Sequence, residues 1–171
     1  MVFLLMREQY KLMKPARTWV TTDWHLFHQK LVESGERPPD FQDRMLKNHR
    51  QLIKPQDTLV NLGDVCFYQM PALAAILASI PGRHLLTLGN HDHKSRGWYE
   101  RSGFVFAADM FVLGNVAFSH KPLNSLSDGC EFNVHGHLHL HRGYKEKQPW
   151  HRLLAMEQTD YKPVLLETIC L

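Results

Sequence analysis

The residues able to do chemistry gather in five short blocks: Asp23-Trp24-His25, Gly63-Asp64, Gly89-Asn90-His91-Asp92, Ser119-His120 and His135-Gly136-His137-Leu138-His139. Of the chain's 12 His, most lie in or beside these blocks. The pooled donors are two carboxylates (Asp23, Asp64), one amide oxygen (Asn90) and four imidazoles (His25, His120, His137, His139), with no cysteine among them. So many mixed nitrogen and oxygen donors exceed a closed zinc site and suit two divalent ions sharing a bridging carboxylate. Ions of such a pair, roughly 3.5–4 Å apart, grip a phosphate and activate water. Taken singly, each block reads equally well as a turn or a solvated strand. Their number and order turn the reading toward a metal site.

Blocks so far apart in sequence meet only if several strand ends share one rim. Strands are predicted at 18–22, 58–62, 84–88 and 132–135, with a hairpin of 111–113 and 116–119 around Gly114-Asn115. Each block follows one of them. A helix is predicted over 40–53, where Phe41, Met45, Leu46, His49 and Ile53 are helically spaced, Asp40 is the N-cap and Pro55 the stop. Another is predicted over 72–80 after Pro71. Residues 143–151 read as loop and 164–169 as a closing strand. In an extended segment side chains repeat every two residues, so Asp23 and His25 are expected to point together, as are His137 and His139. Glycines at 63, 89 and 136 permit sharp turns or close approach. Strands separated by helices, then hairpins, indicate an α/β fold with a mixed sheet or paired sheets.

In this order the five blocks resemble the calcineurin-like metallophosphoesterase superfamily, whose pattern is D-x-H, G-D, G-N-H-[D/E], a lone His and G-H-x-H. The resemblance covers residues 18–139 by motif, and 156–164 (MEQTDYKPV) is similar to the closing segment of small bacterial and phage-type members. It implies a four-layer αββα sandwich, two mixed β-sheets flanked by helices, with a dinuclear centre at the sheet rims. It gives Asp23, His25 and His139 to one ion, Asn90, His120 and His137 to the other, and Asp64 as the bridge. His91 matches the family's non-ligand histidine, which protonates the leaving oxygen or stabilises charge on phosphorus. Two divalent metal ions are implied, manganese first, with iron, zinc, cobalt or nickel also compatible with the donors. The implied reaction is hydrolysis of a phosphate ester by a metal-bridging hydroxide.

Residues around the pattern have two readings each. Asp92 fixes the turn or supports a ligand by a hydrogen bond. His28 reaches a phosphate or orients a ligand if its loop curls, and is otherwise packed or solvated. Lys121 is a point charge for a substrate phosphate or a surface lysine. His135 and His141 share the parity of His137 and His139, as supporting or exposed residues. Protein phosphatases of the superfamily carry G-D-x-x-D-R-G, whereas Gly63-Asp64 here continues as Val65-Cys66-Phe67-Tyr68-Gln69. The missing acid and arginine favour a small, nucleotide-derived phosphodiester over a phosphoprotein. A nuclease, a nucleoside-polyphosphate hydrolase and a non-catalytic scaffold are the alternatives.

Composition sets outer bounds. At 171 residues, 44% hydrophobic and 22% charged, the chain has the size and core material of one domain and is neither disordered nor fibrous. Twenty Lys+Arg against 17 Asp+Glu give +3, which is no footprint of an obligate nucleic-acid partner. Cys66, Cys130 and Cys170 form no disulfide framework, which fits the cytoplasm. The longest apolar stretch, 72–80, is far below the roughly 18 residues a membrane span needs. Met1–Met6 is apolar but lacks the flanks of a signal peptide, and residues 1–14 match nothing. Phe27, Trp98, Tyr144 and Trp150 sit in the loop-like stretches 26–39, 93–102 and 143–155, to stack on a base or to pack in the core or on the surface. Oligomeric state is left open.

Overall fold

The computed structural model of the protein describes residues 17–67, 70–139 and 148–170. In chain order these form β1 (Thr18–Thr21), α1 (Lys30–Glu33), α2 (Phe41–Leu52), β2 (Thr58–Asn61), α3 (Met70–Ser79), β3 (Arg83–Thr87), α4 (Arg96–Arg101), β4 (Phe106–Ala108), β5 (Met110–Leu113), β6 (Val116–Ser119), β7 (Phe132–His135), β8 (His151–Leu153), a 3₁₀ turn (Met156–Gln158), β9 (Val164–Leu165) and α5 (Leu166–Ile169). Two mixed sheets result, ordered β4-β3-β2-β1-β9 and β5-β6-β7-β8. Strands β1 to β4 are parallel and β9 runs against β1. In the second sheet β5 is antiparallel to β6, and β6, β7 and β8 are parallel. This is the α/β architecture of paired mixed sheets and helices expected from the sequence.

The two-residue period of the strands divides the core. Trp19, Leu59 and Leu86 join Phe41 and Met45 of α2, Leu73 and Leu77 of α3 and Tyr99 of α4 in one buried cluster. Their neighbours Val20, Val60 and Leu85 join Phe111, Phe118 and Val134 in another, between the sheets. Strand β2 is buried at every position, with Leu59 and Val60 facing the two clusters and polar Thr58 and Asn61 at its ends. Helix α2 buries Phe41, Met45 and His49 on one stripe, as the spacing predicts. The hairpin pairs Leu113 with Val116, with Gly114 at φ 61° in the turn.

Some expectations need correction. Asp40 makes no side-chain cap; its carboxylate accepts two hydrogen bonds from Arg44, one turn along. The closing strand stops after two residues, because β9 pairs with β1 only at Trp19 and Val20, and the chain then turns helical so that Leu166 and Ile169 meet the inter-sheet cluster. At the end of the stretch expected as loop, residues 148–150 lead into β8, which begins at His151 and is a short edge strand held by pairing to β7 rather than by apolar alternation; 143–147 lie outside the described residues. Loop-like 26–39 and 93–102 contain α1 and α4, the latter capped by Ser95 Oγ accepting from the Trp98 amide. No helix among the described residues is long and apolar enough to cross a membrane. Residues 1–14, His141 and Tyr144 lie outside the described residues.

Candidate metal centre

Every block sits just past the C-terminal end of a parallel strand: 23–27 after β1, 63–67 after β2, 89–92 after β3, His120 after β6 and 136–139 after β7. Parallel strands end on the same side, so topology puts the first three blocks at one end of the five-stranded sheet and the last two at one end of the four-stranded sheet, and the His137 amide donating to Asp23 Oδ2 at 3.0 Å joins the two ends. The first two loops prolong the sheet: the amides of Asp23, His25 and Leu26 donate to the carbonyls of Gly63, Asp64 and Val65.

The paired side chains do not meet by extended-strand parity. Asp23 and His25 both have φ 46°, Phe27 has 64°, Asp64 54°, His137 72° and His139 45°. Left-handed backbone at every second residue curls the loop and turns alternate side chains inward. L-residues adopt such torsions at a cost of about 1–3 kcal/mol each, and they cluster at functional sites. Glycines let the loops close. A Cβ on Gly136 would lie 1.9 Å from Thr22 Oγ1 and 2.6 Å from Asp23 Oδ2, and one on Gly89 would lie 2.0 Å from Asp64 Oδ1.

Two groups of donors result, Asp23 with His25 and His139, and Asp23 with Asp64 and His120. His25 Nε2 lies 3.1 Å from His139 Nε2, 3.7 Å from Asp23 Oδ1 and 3.8 Å from Asp64 Oδ2. His120 Nε2 lies 3.5 Å from Asp64 Oδ2, 2.9 Å from Asn90 Oδ1 and 3.1 Å from His137 Nδ1. The seven residues named from the sequence therefore converge: Asp23 belongs to both groups, and Asp64 Oδ2 faces His25 Nε2 of one and His120 Nε2 of the other. His91 is at the edge, its Nε2 4.0 Å from Asp64 Oδ2 and its ring partly exposed.

Charge and protonation suit cations. Burial pulls His25 down to about 4, and burial with the charge of His120 does the same to His137, so both are neutral with free lone pairs at pH 7. Burial would raise Asp23, but His25, His139 and His120 hold it below the ordinary carboxylate range; Asp64 is pushed up, first by burial, with Asp23 adding to it. Two carboxylates forced together resist double ionisation unless positive charge joins them. His120 Nδ1–H donates to the Leu62 carbonyl at 2.8 Å, which leaves Nε2 bare toward the cluster. Asp23 Oδ1 is buried with no hydrogen-bond partner among the described residues, a costly state for a carboxylate oxygen that does not face a cation. The donor set thus fits divalent metal ions.

Supporting residues surround this cluster. The Asp92 carboxylate accepts from the amides of Asp64, Val65 and Gly89 and from the Tyr99 hydroxyl, so one side chain ties two ligand loops together. His28 stacks on Phe67 at 3.7 Å between ring centroids, and Phe67 stands 4.7 Å from the His91 ring. Burial lowers the His28 pKa. Lys121 is exposed and lines a cleft of about 460 Å³ beside Asn90 and His120, with Leu88, Met110 and Leu123. His135 is buried against His151 rather than exposed. Phe27 and Trp98 pack on the helix-side core, and Trp150 lies against His151.

Two residues had no sequence signal. Arg37 and Glu157 pair in the interior, and Glu157 Oε1 lies 3.2 Å from His139 Nδ1. Burial raises Glu157, but His139 and Arg37 bring it down to about 2. Burial lowers His139, and the bond to Glu157 with the charge of Asp23 raises it on balance. Glu157 falls within the 156–164 segment of the resemblance, which carries no signal for the glutamate itself.

The fold is shared with solved structures. A protein of unknown function, AQ665 from Aquifex aeolicus, superposes with a TM-score of 0.75 at 22% identity, covering 90% of this chain and 97% of that one. The Pseudomonas putida nuclease MPE superposes with a TM-score of 0.52 at 20% identity, covering 73% and 63%. At these identities the likeness is one of fold. In sequence, the chain is 33% identical over 84 residues to Gene 66 protein of Mycobacterium phage L5. That stretch is 45% of this chain and only 40% of the phage protein. Residues 16–166 match the calcineurin-like phosphoesterase family, and the chain belongs to that family.

Proposed function

We propose that the chain is a metal-dependent phosphoesterase that holds two divalent ions, manganese first among them, and hydrolyses phosphodiesters. The position of Asp64 carries this reading: its Oδ2 stands 3.5 Å from His120 Nε2 and 3.8 Å from His25 Nε2, so it faces a histidine of each donor group. Asp23, His25 and His139 hold one ion; Asn90, His120 and His137 hold the other; Asp64 serves both. When bound, the ions supply water activated at neutral pH and neutralise charge at phosphorus.

The chain's own residues do the rest. His91, partly exposed beside Asp64, gives a proton to the leaving oxygen. Lys121, at the cleft beside Asn90 and His120, offers a point charge to a phosphate oxygen. Asp92 keeps the Asp64 and Asn90 loops in register, and His28 with Phe67 walls the His91 side. Residues 65–67 hold no arginine to grip the second charge of a monoester, and the cleft beside His120 leaves room for a second ester arm. Nucleotide-derived diesters, in a reducing cytoplasm, are the substrates that fit.

A second reading is motivated by the fold shared with a nuclease: the diester would then be nucleic acid itself. Binding that falls steeply with salt would single it out. The test of the main reading is hydrolysis of bis-p-nitrophenyl phosphate against p-nitrophenyl phosphate by metal-stripped protein resupplied with Mn²⁺. Turnover should require metal, favour the diester and drop about 10²–10⁴-fold in His91→Ala. A folded, metal-loaded protein that cleaves neither compound would count against it.

A further inference from the structure

Arg37 and Glu157 form an ion pair almost wholly out of solvent, with side chains 1% and 8% exposed. Arg37 Nε and Nη2 donate to Glu157 Oε1 at 2.8 and 2.7 Å, and Nη1 donates to the Trp24 carbonyl at 3.3 Å. The rings of Phe41 and Tyr161 flank the guanidinium at 5.1 and 5.9 Å. Burying two charges is expensive, and an apolar pair of similar volume usually stabilises a fold as well or better. The placement of this pair therefore calls for a reason other than stability.

That reason lies in what it touches. Trp24 is the middle residue of Asp23-Trp24-His25, and Glu157 Oε1 also faces His139 Nδ1 at 3.2 Å. An ionised carboxylate can only accept, so Nδ1 carries the imidazole proton. Arg37 Nη2 is 3.4 Å from the same nitrogen but is already engaged with Oε1 at the shorter distance. In the neutral ring the lone pair is then on His139 Nε2, 3.1 Å from His25 Nε2 and 3.5 Å from Asp23 Oδ1. A carboxylate behind a ligating imidazole fixes its tautomer and orientation and raises its basicity.

We infer that Glu157, held by buried Arg37, is a positioning residue that fixes His139 as the Nδ1–H tautomer and so sets the metal affinity of the Asp23, His25 and His139 position. The His120 position does not depend on it. The metal half of this inference rests on the dinuclear reading above; the tautomer half does not.

The variant that tests it is Arg37→Met/Glu157→Leu, which replaces the pair by apolar residues without stranding a buried charge. Glu157→Gln is a second, milder variant. Long-range ¹H–¹⁵N spectra of the metal-free full chain read the tautomer, with His139 assigned by its absence in His139→Gln. The wild type should show Nδ1–H, and the double variant a mixture of tautomers. Mn²⁺ titration should then show one of the two ions weakened about 10–100-fold, with the other nearly unchanged. A wild-type proton on Nε2, unchanged tautomer and affinities in the double variant, or equal weakening of both ions would overturn the inference. A wild type that binds no Mn²⁺ would sink the functional reading and the metal half with it, while the tautomer spectrum alone would still decide the rest.

Discussion

His120 and His139 each present Nε2 to the cluster, but they are oriented by different means. His120 is aimed by the Leu62 carbonyl, a main-chain group delivered by the end of β2. His139 is aimed by a glutamate that itself depends on an arginine 120 residues away in sequence. One half of the site follows from strand topology; the other needs two particular side chains to meet. Substitution can remove the second kind of support and not the first, so the halves should respond differently to mutation.

The largest effect should erase the contrast. Asp64 faces both groups, and Asp64→Asn should cost both ions and about 10³-fold or more in diester kcat/KM, since metal stabilisation of the transition state is worth several kcal/mol. Loss of only one ion, measured by metal content after dialysis, would show that the halves are independent. Next come paired glycines. Gly136→Ala pushes a Cβ into Thr22 and Asp23, whereas Gly63→Ala, at φ 105°, pushes one to 2.6 Å from the Gly89 amide nitrogen and 2.9 Å from His120 Nδ1. Each should lose about 1–3 kcal/mol in urea unfolding from overpacking. Gly63→Ala should lose more, because it adds backbone strain, and the two should weaken opposite ions.

A smaller effect distinguishes what lies behind each half. The Asp23 loop is backed by His49, whose Nδ1–H donates to the Met45 carbonyl and whose Nε2 accepts from Thr21 Oγ1, the acceptor of Trp24 Nε1–H. Burial pulls His49 from 6.5 down to about 4, and burial lowers His84 as well. The unfolded chain therefore binds more protons than the folded one between those values, and stability falls as pH drops from about 6.5 toward 4, by roughly 3 kcal/mol for His49. Melting temperatures across this range should fall less steeply in His49→Gln than in the wild type. Equal slopes would remove His49 from the account.

Much of the candidate site was legible, in that its residues follow strand ends. Short apolar runs stopping at Asp23, Gly63, Gly89, His120 and Gly136 mark β1, β2, β3, β6 and β7, and parallel pairing carries the first three loops to one end of one sheet and the last two to one end of the other. The geometry within the loops was not legible. Parity predicted that Asp23 and His25 point together, and they do converge, but through left-handed torsions that no residue type announces; a histidine at φ 46° is not readable from its letter. Arg37, before Pro38-Pro39, and Glu157, in a short 3₁₀ turn, lacked any local pattern, since their meaning is a tertiary contact. The same holds for β8, which owes its strand form to pairing with β7, and for the early end of the expected closing strand, where β9 stops after Leu165.

The central claim is that the two differently supported halves form one centre joined by Asp64. Electron paramagnetic resonance of the chain loaded with two equivalents of Mn²⁺ tests it most directly. The account requires an exchange-coupled dinuclear spectrum in the wild type that is absent in Asp64→Asn. Two isolated Mn²⁺ signals, or a coupled pair that survives Asp64→Asn, would contradict it.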